Sequence, residues 1–189
     1  MDLIIMADQK QRMHPRKFTL WIAIASIVMM FAGLTSAYIV KRNQPNWTTF
    51  QLPIIFWYSS AVIILSSITM KMSQNYFVAR EMAKYRRMLA ITMLLGILFV
   101  VMQIVGFTQL FSAGVTFTKN VSFSFLYTLV GLHAVHVLGG LIALFVMFIQ
   151  LFSSRRRNYS SVPVEMMSTY WLFVDLLWIY LFIFLLMIR

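Results

Sequence analysis

The chain has 189 residues, of which 61% are hydrophobic and only 11% charged, and its mean hydropathy is +0.81. That usage excludes an ordinary soluble domain and indicates an integral membrane protein, while the absence of cysteine excludes a disulfide, a thiolate metal site, covalently attached haem and a cysteine nucleophile. The formal charge of +11 is carried at the edges of apolar runs, where anionic lipid headgroups rather than nucleic acid are the natural counter-charge.

Five apolar runs, near residues 18 to 40, 53 to 70, 88 to 111, 121 to 151 and 166 to 188, are long enough to cross a hydrocarbon core. Such a core is roughly 30 Å thick and takes about 20 helical residues. Only helices keep every backbone group paired in a segment of this kind, so the fold class is all-α, a bundle of five transmembrane helices. The loops are short and none has the composition of a linker, which makes residues 1 to 189 one transmembrane domain. The alternate connections carry twelve and four of the sixteen Lys and Arg, with the N-terminal side rich, so the N-terminus is placed inside and the C-terminus outside.

The first run is too long for the apolar region of a signal peptide and no A-x-A site follows it, so it is read as retained. Its "FAGLTSAY" stretch (31 to 38) spaces Ala32, Gly33, Ser36 and Ala37 as small-xxx-small pairs, a face made for close approach to another helix. The second run carries the Ser/Thr-rich "YSSAVIILSSIT", and the first and second helices together are expected to bear the contact with a partner subunit. "REMAKYRR" (80 to 87), before the third run, and Arg155, Arg156 and Arg157, after the fourth, read as inside anchors that touch acidic lipid. Asn46-Trp47-Thr48 matches a glycosylation acceptor, a pattern of low specificity.

The fourth run is about 31 residues, so it is expected to tilt, bend near Gly139 and Gly140, or project past the membrane. Its "GLHAVHVLGG" sets His133 and His136 three apart, on one helix face. The fifth run places Asp175 roughly 15 Å from its start, near the bilayer centre, in "YWLFVDLLWIYLF" (170 to 182). A charged group there costs about 2.5 to 3.5 kcal/mol on the insertion scale and needs a partner. The leading expectation is a buried hydrogen bond from Asp175 to a histidine of the antiparallel fourth helix; a proton relay is the sharper alternative. Trp171, Asp175, Trp178 and Phe182 share one face, an aromatic surround that keeps the acid from lipid. Glu165 is expected to complement its helix dipole or pair with the arginines at 155 to 157.

Two histidines at i and i+3 cannot both ligate one haem axially, and His14 lies before the first span. A metal needs more ligands than these runs bring together, so neither haem nor metal is expected in this chain. No phosphate loop, serine elbow or pair of carboxylates within reach is present. A small transporter or channel, with Asp175 and the histidines lining a pathway, is a competing class, against which stands the lack of an internal repeat.

In order and spacing, "FAGLTSAYIVKR" (31 to 42), "FQLPIIFWYSSAVIILSSIT" (50 to 69), "LLGILFVVMQ" (94 to 103), "GLHAVHVLGG" and "YWLFVDLLWIYLF" resemble subunit III of the haem-copper terminal oxidases, in its short five-helix form. The pair "GxHxxHVxGG" and, about 30 residues on, "E(x4)YWxFVDxxW" is the specific part. The resemblance implies a non-catalytic accessory subunit of cytochrome c oxidase, a proton-pumping respiratory enzyme of the prokaryotic inner membrane, or of a quinol oxidase. It implies partners in subunit I, the other oxidase subunits, phospholipid and a respiratory supercomplex, with haem and copper in the partner subunits and no cofactor here. Three positions depart from the family pattern: Ile27 and Gly106 stand where it has carboxylates, and Leu172 where it has a histidine. What carries over is therefore a supporting role, borne by His133, His136, Glu165, Trp171, Asp175 and Trp178, rather than the proton handling of the missing acids.

Overall fold

The structure, a computed structural model, describes residues 15–42, 53–114, 121–152 and 161–188. They form five helices, α1 (Pro15–Lys41), α2 (Ile55–Val78), α3 (Met82–Ser112), α4 (Val121–Phe152) and α5 (Ser161–Ile188). All five are long and apolar enough to cross a membrane, and no strand occurs among the described residues. The hydroxyls inside these helices turn back onto the preceding turn, as Thr35 does to the Phe31 carbonyl (2.9 Å) and Ser60 to Phe56 (2.7 Å), so polar side chains enter apolar helices without leaving a donor unpaired.

The second span exceeds its expected end at residue 70, running on to Val78, and the third begins at Met82 rather than 88. The polar residues between them are absorbed by a single tight turn. Glu81 N–H reaches the Tyr76 carbonyl (3.0 Å) and Arg80 N–H that of Phe77 (3.1 Å), the paired bonds of a Schellman cap. Arg80 takes the left-handed position at φ 64°, where glycine is usual.

This hairpin is the most extensive helix pair in the bundle. Its buried positions are Phe56, Ser59, Ile63, Ser66, Met70, Ser73 and Phe77 on α2, facing Tyr85, Leu89, Thr92, Gly96, Phe99, Gln103, Gly106 and Leu110 on α3. Both series alternate steps of three and four, the 3.5-residue period of a left-handed antiparallel pair. Serine, threonine and glycine at regular places on the seam let the backbones approach closely, which is what drives association where lipid is as apolar as the side chains.

α4 packs on α3 and α5, and α5 on α2, so α2, α3, α4 and α5 close a four-helix ring. α1 lies outside the ring against α4 and α5 alone. Half of the α5 span is buried within the chain against 17% of α1, which makes α5 the core helix and α1 the peripheral one. α4 passes unbroken through Gly139 and Gly140, so the expected bend is not needed to keep it helical. The Gly140 position instead receives neighbouring rings: a Cβ there would lie 3.1 Å from Tyr170 and 3.2 Å from Trp171.

Candidate functional site: the polar core of the bundle

Two tryptophans of α5 organise the centre. The Trp171 indole lies between Gly96 of α3 and Gly140 of α4, whose absent side chains leave room for it, and its Nε1–H donates to Ser66 Oγ of α2 at 3.0 Å. Two turns on, Trp178 donates from Nε1 to Ser60 Oγ at 3.0 Å and packs against Phe56, Phe99 and His133. Each indole is 1% exposed and has its single donor satisfied, as a buried tryptophan requires. The serines of α2 were expected to face a partner subunit; they serve these indoles and Gln103 instead. The reason is register: positions 59, 60 and 66 lie on the seam of the ring, and the outward face of α2 is left to Trp57, Tyr58, Ile64, Leu65 and Ile68.

Asp175 lies between the tryptophans on the same face and is 3% exposed, so the chain itself shields it from lipid. The expected hydrogen bond to a histidine is not formed. Asp175 Oδ2 accepts from the Ser67 hydroxyl of α2, and Oδ1 has no partner among the described residues. The correction follows from which neighbour each face of α5 meets: Asp175 turns to α2, while His133 meets α5 one turn further along, at Trp178, with ring centroids 5.2 Å apart.

His133 is 1% exposed, edged by Phe99 at 6.3 Å, and neither ring nitrogen has a hydrogen-bond partner among the described residues. His136 turns towards α1. Its Nδ1–H donates to the Leu132 carbonyl at 2.7 Å and its ring meets Phe31 edge-on at 5.9 Å. Tyr170 of α5 donates to the His136 carbonyl at 3.0 Å, tying α4 to α5. The pair thus divides between the ring interior and the α1 side, and no group of three or more His, Asp or Glu side chains among the described residues is placed to hold a metal.

Glu165 pairs with Lys17 at the start of α1, not with the arginines at 155 to 157, which lie outside the described residues, as does His14. This ion pair and the 3.0 Å contact between the Thr35 and Tyr180 hydroxyls fasten the peripheral helix to α5 at two levels. Phe31, Thr35 and Tyr38 form the inward face of α1; Ala32, Gly33, Ser36 and Ala37 are exposed on the other side, and nothing lies within 4 Å of a Cβ built on Gly33. The small-residue face is free within this chain.

The two missing acids have visible structural counterparts. A Cβ at Gly106 would stand 2.9 Å from Ile55 Cγ2 and 3.0 Å from Phe56 Cζ, so α2 packs onto the α3 backbone where the family pattern has a carboxylate. Ile27 is half-buried and packs onto the main apolar cluster. Sequence reasoning missed Gln103, whose Nε2–H donates to Ser59 Oγ at 2.9 Å; its place in the four-three series of α3 was the available signal.

The arrangement is that of an integral membrane helical bundle whose polar groups fasten helices to one another. Residues 9–188 match the family described as cytochrome c oxidase subunit III, and the chain belongs to it. It is 27% identical over 167 residues to cytochrome c oxidase subunit 3 of Bacillus sp. strain PS3, spanning 86% of this chain and 80% of that protein. It is 30% identical over 163 residues to cytochrome c oxidase subunit 3 of Corynebacterium diphtheriae, covering 82% and 80%. The match to cytochrome bo(3) ubiquinol oxidase subunit 3 of Buchnera aphidicola is 29% over 181 residues, covering 93% and 95%.

Proposed function

We propose that the chain is a non-catalytic accessory subunit of a cytochrome c oxidase in aerobic respiration, holding subunit I and lipid around a rigid helical ring while electron transfer and proton pumping proceed in the partner subunits. The family membership across residues 9–188 carries this reading. It is supported by a polar core in which Ser60, Ser66 and Ser67 are each engaged by a side chain of α5. The chain lies in the prokaryotic inner membrane with its N-terminus inside, as its Lys and Arg asymmetry requires. Lys and Arg at the inner rim, including Arg155 to Arg157, hold anionic phospholipid. Haem and copper belong to the partner subunits. The Buchnera relative favours one second reading, a quinol oxidase subunit III, which differs only in the donor used by the complex.

The free face of α1 is the proposed contact with subunit I, and the oxidase may be joined through neighbouring subunits into a supercomplex only after that contact forms. Replacing Gly33 and Ala37 with leucine fills a face that nothing in this chain occupies, so the fold is retained and the chain is released from the purified oxidase. Full occupancy of the double variant in the complex would refute the contact.

A further inference from the structure

An open groove of about 560 Å³ runs between α3 and α4, with Phe99, Gln103, Phe107, Tyr127, Gly131 and His133 among its walls. From Phe99 to Phe111 it follows α3 for about 18 Å, at 1.5 Å per residue. Its rim is on the outside of the bundle, where Ile104 and Leu138 are 61% and 44% exposed, so an occupant enters from the lipid. The volume lies in the range of small-molecule sites, roughly 300 to 1,000 Å³.

The walls are apolar except at the floor. Gln103 and His133 are 7% and 1% exposed, and Gln103 Oε1 and both ring nitrogens of His133 have no hydrogen-bond partner among the described residues. Buried polar atoms left this way each cost about 1 to 3 kcal/mol, so something is expected to meet them. Gln103 has already committed its Nε2–H to Ser59, leaving an acceptor. A neutral imidazole adds one donor and one acceptor. A hydroxyl is complementary to this set because it donates and accepts at one atom; a ketone or ester oxygen only accepts. No Lys, Arg, Asp or Glu lines the groove, so neither a phosphate nor an ammonium headgroup finds a counter-charge there. The rings of Phe107 and Tyr127, with centroids 5.3 Å apart, flank the path to the floor and favour a flat or unbranched body.

We propose that the groove binds a neutral, hydroxyl-bearing lipid, its hydroxyl directed to Gln103 and His133 and its apolar body lying between α3 and α4. The ring diol of an isoprenoid quinol and the free hydroxyl of a diacylglycerol-type lipid share this chemistry. The site is independent of which donor the oxidase uses.

The test is photolabelling of the purified complex in phospholipid nanodiscs with three probes that carry the same diazirine-bearing tail: a hydroquinone, a primary alcohol and a hydroxyl-free hydrocarbon. The hydroxyl probes are expected to label residues 99 to 111 or 127 to 138 at least tenfold above the hydrocarbon. Labelling by the hydroquinone alone would assign a ring diol, and by both hydroxyl probes a general hydroxyl lipid. Gly131→Phe fills the groove from a position where an added Cβ meets nothing within 4 Å, and should abolish the labelling. Gln103→Met keeps the side-chain bulk and should reduce it at least fivefold. Equal labelling by all three probes, or labelling indifferent to both variants, would overturn the proposal and leave ordinary acyl chains in the groove. Absence of labelling by any probe would overturn it by showing the groove covered by a partner subunit.

Discussion

Restoring a carboxylate at position 106 is a direct test of how tightly the α2–α3 seam is closed. A Cβ there would meet Ile55 Cγ2 at 2.9 Å and Phe56 Cζ at 3.0 Å. Phe56 has little freedom to yield, since its ring is stacked on Trp178 (6.2 Å) and edge-on to Phe107 (5.7 Å). Overpacking of this kind costs about 1 to 3 kcal/mol, against a gain of about 0.8 to 1 kcal/mol from removing glycine from a helix interior. Gly106→Ala should therefore lose about 0 to 2 kcal/mol. Gly106→Glu adds a buried acid at about 2.5 to 3.5 kcal/mol, for a loss of roughly 3 to 5 kcal/mol. The assay is SDS titration of the purified complex in mixed micelles, following tryptophan fluorescence and retention of the chain. Adding Phe56→Ala to the glutamate variant should recover part of the loss, because the two changes share one contact. If Gly106→Glu unfolds at the same SDS fraction as Gly106→Ala, the seam has room and the reasoning from close approach fails.

Ser67→Ala removes the hydroxyl that Asp175 accepts from and should lower stability by about 1 to 3 kcal/mol in the same titration, with Asp175→Asn the milder change because its amide oxygen keeps the acceptor. Turnover of the assembled Asp175→Asn oxidase close to that of the parent would support the fastening role, and a large loss at full assembly would revive a proton relay. Arg80→Gly, at φ 64°, should raise stability by about 1 to 2 kcal/mol, seen as a later SDS midpoint.

The helices were legible because a continuous apolar run of sufficient length has few other solutions in lipid, and the fourth span was placed within a residue of α4. Ends were less legible where polar residues extend a helix beyond the apolar run, as Lys71 to Val78 do in α2. Asp175, Trp171 and Trp178 were found from spacing alone, since a helix fixes which of its own residues share a face. Their partners were not, because the meeting of Asp175 with Ser67 rather than a histidine depends on the rotation of α5 against α2, to which the sequence of α5 alone is blind. The same limit turned the α2 serines inward and Glu165 to Lys17. The groove between α3 and α4 needed both helices in place, although Gln103 and His133 stand in plain view in the chain.

The measurement that bears most directly on the accessory role is mild-detergent purification of the tagged chain, with an optical spectrum and mass spectrometry of what accompanies it. The role requires haem absorption together with a large oxidase subunit at equal stoichiometry, and reduction by cytochrome c rather than quinol identifies the donor. A colourless chain recovered without a large partner would contradict it.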